Sequence, residues 1–168
     1  MKHQIILLGK DITSVYHGIK EFGPDHVHLL CTNETKEVAA PLFPLLPDSI
    51  RRTLYRTEPY DGEHVRNVCR KIHQTYPSAE FAYNLSEGTK VMAFAAFTIA
   101  KEYSVPAFYL SQLGELIRLD SFEKYPMKSQ LDNKEILGLS GNILTEYQDA
   151  KHLSNTDVQA SGLIKQFI

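Results

Sequence analysis

Ala79-Glu80-Phe81-Ala82-Tyr83-Asn84-Leu85-Ser86-Glu87-Gly88-Thr89-Lys90 is the stretch where the pattern of this chain changes most sharply. Residues 79–83 read as a strand running into Asn84. From about Thr89 to Tyr103 the chain reads as a long helix. Val91, Met92, Phe94, Ala95, Ala96, Phe97, Ile99 and Ala100 leave that helix almost no polar face. A helix apolar nearly all round is covered on two sides. One cover is expected to be a sheet and the other a second subunit.

Working outward, Ile5-Ile6-Leu7-Leu8 is a short apolar run that stops at Gly9, as a strand buried on both faces does. A helix is expected from about Ser14, with Val15, Ile19 and Phe22 on one face and Gly23-Pro24 as its stop. Val27 to Cys31 is the second strand. Pro41, Pro44 and Pro47 make the next stretch irregular. Asp61 caps a helix through Val65, Val68, Cys69 and Ile72, which Pro77 closes. Val105 to Leu110 and Leu116 to Leu119 read as strands about a hairpin turn at Gln112-Leu113-Gly114-Glu115.

Strand and helix therefore alternate. The fold class expected is α/β: a Rossmann-like, open, mostly parallel sheet with helices on both faces and a C-terminal β-hairpin and helical extension. Residues 1–125 form the ligand-binding core and 126–168 a connector. In the connector, Asp132 caps a short helix through Ile136 and Leu137 that ends at Gly138 or Gly141, and Asn142 to Tyr147 reads as a strand. The apolar end Leu163 to Ile168 points to an effector domain further on.

Composition narrows the function. The chain has 168 residues, 43% hydrophobic, with a formal net charge of −2. One domain fits that length, and the charge argues against a broad face for duplex nucleic acid. No signal peptide and no run of about 20 apolar residues is present, so a cytoplasmic protein without a membrane segment is expected. The triplets Asn33-Glu34-Thr35 and Asn84-Leu85-Ser86 are then chance matches to a glycosylation pattern. Cys31 and Cys69 read as buried thiols. The seven histidines are scattered, without His-Glu-x-x-His or Cys-x-x-Cys spacing, so neither metal nor cofactor is expected. Arg51, Arg52 and Arg56 read as a small basic patch, more often solvated than functional.

Ligands of open α/β sheets sit beyond the carboxyl ends of the strands. Two loops there carry chemistry: Gly9-Lys10-Asp11-Ile12-Thr13-Ser14, and Asn84-Leu85-Ser86-Glu87-Gly88-Thr89-Lys90. Each combines small or hydroxyl residues, free amides at a helix start and one lysine, which suits a phosphate. Thr32, after the second strand, and Ser111, after the Val105–Leu110 strand, complete the candidate ligand contacts. The plain alternative makes Asn84 and Ser86 turn and capping residues and Gly88 the relief of a tight turn. No Gly-x-x-x-x-Gly-Lys-Ser/Thr loop, Gly-x-Gly-x-x-Gly fingerprint or Gly-x-Ser-x-Gly elbow occurs.

Asn84-Leu-Ser-Glu-Gly-Thr-Lys90-Val-Met92 resembles the CARF family, the CRISPR-associated Rossmann-fold sensors. One branch carries Asn-x-Ser/Thr-Gly-Gly-Thr/Asn-Lys-x-Met at this point; here Glu87 stands in place of the first glycine. The resemblance covers about residues 3–125. It implies a homodimer that binds a cyclic oligoadenylate across its two-fold axis, tetra- or hexa-adenylate first. It implies a role in type III CRISPR antiviral defence, in which a fused C-terminal effector responds. The domain itself is then a sensor without catalytic residues. Two alternatives stand beside it: a ring nuclease that cleaves the cyclic ligand without metal, using Lys90, Thr13 and Ser14, and an unrelated nucleotide-binding Rossmann domain. A carboxylate repels phosphate, so Glu87 is expected to turn outward or to hydrogen-bond a ribose or adenine.

Overall fold

The computed structural model describes residues 1–140. Seven strands form one sheet: β1 (Lys2–Leu7), β2 (His26–Cys31), β3 (Arg51–Arg56), β4 (Glu80–Asn84), β5 (Ala107–Leu110), β6 (Glu115–Arg118) and β7 (Lys124–Pro126). Their order is β3-β2-β1-β4-β5-β6-β7. The first five are parallel, and β6 and β7 add antiparallel. This is the expected Rossmann-like, mostly parallel sheet.

Helices cover both faces: α1 (Ile12–Phe22), α2 (Gly62–Thr75), α3 (Lys90–Glu102) and α4 (Asn133–Leu139). Alternate residues of the central strand serve the two layers. Ile5 and Leu7 pack under α2 and α3 with Phe81, Tyr83, Met92 and Ile99. Ile6 and Leu8 face Val15 and Ile19 of α1, with Leu42 and Leu139. A strand buried on both faces needs such a continuous apolar run, and Ile5 to Leu8 supplies it.

The capping residues act as their chemistry requires. Asp11, Asp61, Thr89 and Asp132 each accept a backbone N–H at a helix start. Because Asp11 is the cap, α1 begins at Ile12, two residues before the expected start. Asp132 and Glu135 close a capping box, and α4 continues through Gly138 to Leu139. Its Glu135 binds Lys20 at 2.8 Å and accepts the Tyr16 hydroxyl at 2.7 Å, which docks residues 132–139 onto α1.

Two strands were not expected. β3, Arg-Arg-Thr-Leu-Tyr-Arg, is an edge strand whose outward charges hide its character. Arg52 donates to the carbonyls of Phe43, Leu46 and Pro47, and Arg56 lies 3.5 Å from Glu58. Arg52 thus braces the proline stretch, which forms the 3-10 turn Phe43–Leu45; another, Lys36–Ala39, precedes it. β7 is a three-residue continuation of the hairpin. The strand expected over 142–147 and the apolar run 163–168 lie outside the described residues. No helix among the described residues is long and apolar enough to cross a membrane.

Parallel pairing also corrects the view of the histidines as scattered. β1 sets His3 beside His26, and His28 lies two residues along the same face. Cys31 and Cys69 are both buried free thiols, as expected. Burial pushes the Cys69 thiol up to about 12, far from a reactive thiolate.

Candidate functional site

The strand order reverses between β1 and β4, which pair directly. Their exits, residues 8–11 and 85–89, therefore lie side by side at the topological switch point, the place where open α/β sheets receive ligands. The two predicted loops are brought together there, and Glu87 is their meeting point.

Glu87 does not turn outward. Its Oε2 accepts the Asp11 N–H at 3.3 Å, and its Oε1 accepts the Ser14 hydroxyl at 3.4 Å. A Cβ built on Gly9 would come within 2.0 Å of Oε2, so Gly9 is the space this carboxylate occupies. A helix start offers unpaired amides and positive partial charge, and here it already holds a carboxylate. Burial raises the proton affinity of Glu87, and the Asp11 carboxylate adds to the rise against the hydrogen bonds that lower it.

Around this seat the candidates divide. Asn84 is buried, with its amide donating to the Ser14 carbonyl at 3.4 Å. Its Oδ1 accepts both the Ser86 N–H at 3.1 Å and the Ser86 hydroxyl at 2.6 Å. Ser86 Oγ in turn accepts the Leu110 N–H at 2.9 Å. Asn84 and Ser86 are thus the strut that locks the β4 exit to α1 and β5. Gly88 has φ of +84°, and a Cβ there would lie 3.0 Å from that of Leu7, so a strand contact as well as the turn demands glycine. Thr89 caps α3 through the Met92 N–H and also donates to the Pro59 carbonyl.

The Ile12 side chain is buried in the core cluster with Val15 and Leu42. Thr32 is buried in its own turn, where its hydroxyl accepts the Glu34 N–H at 3.2 Å. The Ser111 hydroxyl accepts the Leu113 and Glu115 amides and so builds the hairpin. Lys10, Thr13 and Lys90 are exposed. Neither lysine forms an ion pair among the described residues.

A groove of about 490 Å³ opens from Glu87 and Lys90 along α3 towards the hairpin. Phe94, Phe97, Tyr109, Leu119 and Phe122 line it. Sequence reasoning did not place these side chains at the site. Their signal was present in the apolar face of α3, which the sheet and α2 cover only partly: Phe94 remains 75% exposed.

No family model matches the sequence, and no curated protein matches it. Solved structures do. Can2 from Sulfobacillus thermosulfidooxidans, in complex with cyclic tetra-adenylate, superposes with a TM-score of 0.76 at 20% identity, over 99% of this chain and 46% of that one. Protein VC1899 from Vibrio cholerae gives 0.72 at 13% identity, over 83% and 39%. A type III CRISPR defence DNA nuclease activated by cyclic oligoadenylate gives 0.71 at 20% identity, over 98% and 27%. The chain spans less than half the length of each of these proteins. With seven strands in the order β3-β2-β1-β4-β5-β6-β7 and paired loops at the reversal, the described residues share the Rossmann-like fold of these solved structures.

Proposed function

We propose that this chain is the sensor domain of a type III CRISPR ancillary protein and binds a cyclic oligoadenylate across the axis of a homodimer. The observation that carries the reading is the carboxylate of Glu87 on the α1 amino terminus. It marks an anion seat at the switch point, built from amides and a hydroxyl and flanked by exposed Lys10 and Lys90. A ligand phosphate takes over that seat, and Glu87 swings away. The aromatic side chains along the groove offer faces to adenine, which stacks on such rings. Two structural neighbours, one in complex with cyclic tetra-adenylate and one activated by cyclic oligoadenylate, support this class of ligand. A tetra- or hexa-adenylate is the expected size, and a fused effector would read the binding.

Calorimetry of the untagged chain with cyclic tri-, tetra- and hexa-adenylate tests this. One ring per two chains is expected. Failure of all three rings to bind, or one mononucleotide per monomer, overturns the reading and leaves an ordinary nucleotide-binding Rossmann domain.

A second reading, ring cleavage, draws on the raised proton affinity of Glu87 beside Ser14. A carboxylate of that kind suits a general base. It would take the proton of a ribose 2′-hydroxyl; the 2′-oxygen bonds the adjacent phosphorus, the P–O5′ bond breaks, and the 5′-oxygen gains a proton. Chromatography of the ligand after incubation separates this from plain binding: a linear product ending in a 2′,3′-cyclic phosphate is required.

A further inference from the structure

At the opposite edge of the sheet, where β1 and β2 begin, three imidazoles meet inside the protein. His3, His26 and His28 project from one face of two paired strands. They are 1%, 4% and 0% exposed. One ring nitrogen of each lies within 4.8 Å of the others. The ring centroids are 5.1 Å apart for His3–His26 and for His3–His28, and 4.1 Å apart for His26–His28.

Each buried imidazole brings two polar nitrogens that need partners. Strand β3 satisfies one on each of two rings. His26 Nε2 lies 2.8 Å from the Thr53 hydroxyl, and His28 Nδ1 lies 3.3 Å from the Tyr55 hydroxyl. His28 Nε2 and His3 Nδ1 lie 3.0 Å apart and share one hydrogen bond, and His26 Nδ1 is buried with no partner. His26 has the arrangement of a metal-ligating histidine, one nitrogen held by a hydrogen bond and the other free for the ion, and an ion would replace the proton shared by His3 and His28. Zinc–nitrogen bonds of about 2.0–2.1 Å put ligand nitrogens about 3.3 Å apart in a tetrahedral site, so small ring rotations close the cluster. Burial lowers the proton affinity of all three rings, and His28, beside the other two imidazoles, is pushed down to about 3. Neutral imidazole is the form that binds metal.

We propose that His3, His26 and His28 bind one late first-row divalent metal ion, zinc(II) in first place, with water as a fourth ligand. Three nitrogen donors and no carboxylate favour such an ion over magnesium or calcium. The ion would tie β1 to β2 at the edge remote from the adenylate seat, so its role is structural. This proposal does not rest on the ligand reading, and either can fail alone.

The test uses the untagged chain, stripped with a chelator and then refolded with zinc(II). One zinc per chain should survive desalting, the Tm should rise, and X-ray absorption should show three imidazole ligands. His26→Gln and His28→Gln should each weaken zinc binding at least 10-fold, in the range of lost metal-site partners, whereas His64→Gln should not. Absence of retained zinc overturns the proposal, as does equal uptake by His26→Gln. Should both variants fail to fold, the wild-type X-ray absorption decides, and fewer than three imidazoles overturns it.

Discussion

Glu87 shows how one residue changes the meaning of a loop. In the pattern it resembles, glycine stands at that place; here a carboxylate fills the anion seat and spans Asp11 and Ser14. Its proton affinity is raised in the folded protein, so its contribution to stability is fully present below the ordinary glutamate value of 4.5 and is lost as pH rises through the raised value. Glu87→Gln lacks that loss. Thermal melts should therefore show the variant gaining on wild type as pH rises above 4.5, and matching it at and below that value. A ligand that displaces Glu87 returns it to ordinary proton affinity and so releases a proton; wild-type affinity for cyclic adenylate should therefore weaken as pH falls towards 4.5, a trend that Glu87→Gln should lack. Lys90 is the complementary case. It sits at the first residue of α3, where a cation opposes the helix dipole. Lys90→Ala should keep or slightly raise the Tm while calorimetry shows binding weakened by about 1.5–3 kcal/mol, the worth of a charge-assisted hydrogen bond.

Helix α1 is held at its working angle by a close approach rather than by its own propensity. A Cβ on Gly18 would meet the Asn84 amide nitrogen at 2.2 Å, and Gln4 donates to the Gly18 carbonyl at 3.0 Å. Glycine to alanine inside a helix ordinarily gains about 0.5–1 kcal/mol. Here the added methyl displaces buried Asn84, whose lost partners cost about 1–3 kcal/mol. The second effect wins, so Gly18→Ala should lower the Tm and loosen both loops, seen as faster amide exchange at Ser86 and Leu110. Gly88→Ala should likewise destabilise by about 1–2 kcal/mol from positive φ alone.

For the whole molecule, the apolar side chains that the fold leaves bare matter most. Phe94 and Phe122 are 75% and 74% exposed beside the groove, and Val91, three residues before Phe94 on α3, is 38% exposed. Aromatic surface of this kind beside a binding groove marks an interface. Light scattering at micromolar concentration should find a dimer, and Phe94→Glu should yield a folded monomer whose Tm, unlike that of the wild type, does not depend on protein concentration. Affinity for the cyclic ligand should fall modestly from low to physiological salt, because neutral amides share the phosphates with the lysines; no fall at all would count against phosphate recognition.

The sequence by itself determined the alternation of elements, since burial on both sheet faces demands runs such as Ile5 to Leu8 and capping demands Asp61, Thr89 and Asp132 at their positions. It also set both candidate loops at the carboxyl edge, because a loop that leaves a parallel strand for a helix starts there. It concealed β3, whose outward-facing arginines mimic a solvated loop. Tertiary structure alone decided three matters: that Glu87 turns inward onto Gly9, that the Asn84 amide is spent on the Ser14 carbonyl, and that His3 meets His26 and His28. Each joins residues more than two apart through strand register or a loop-to-loop approach, and no local pattern records either, because register is set by the packing of the whole sheet.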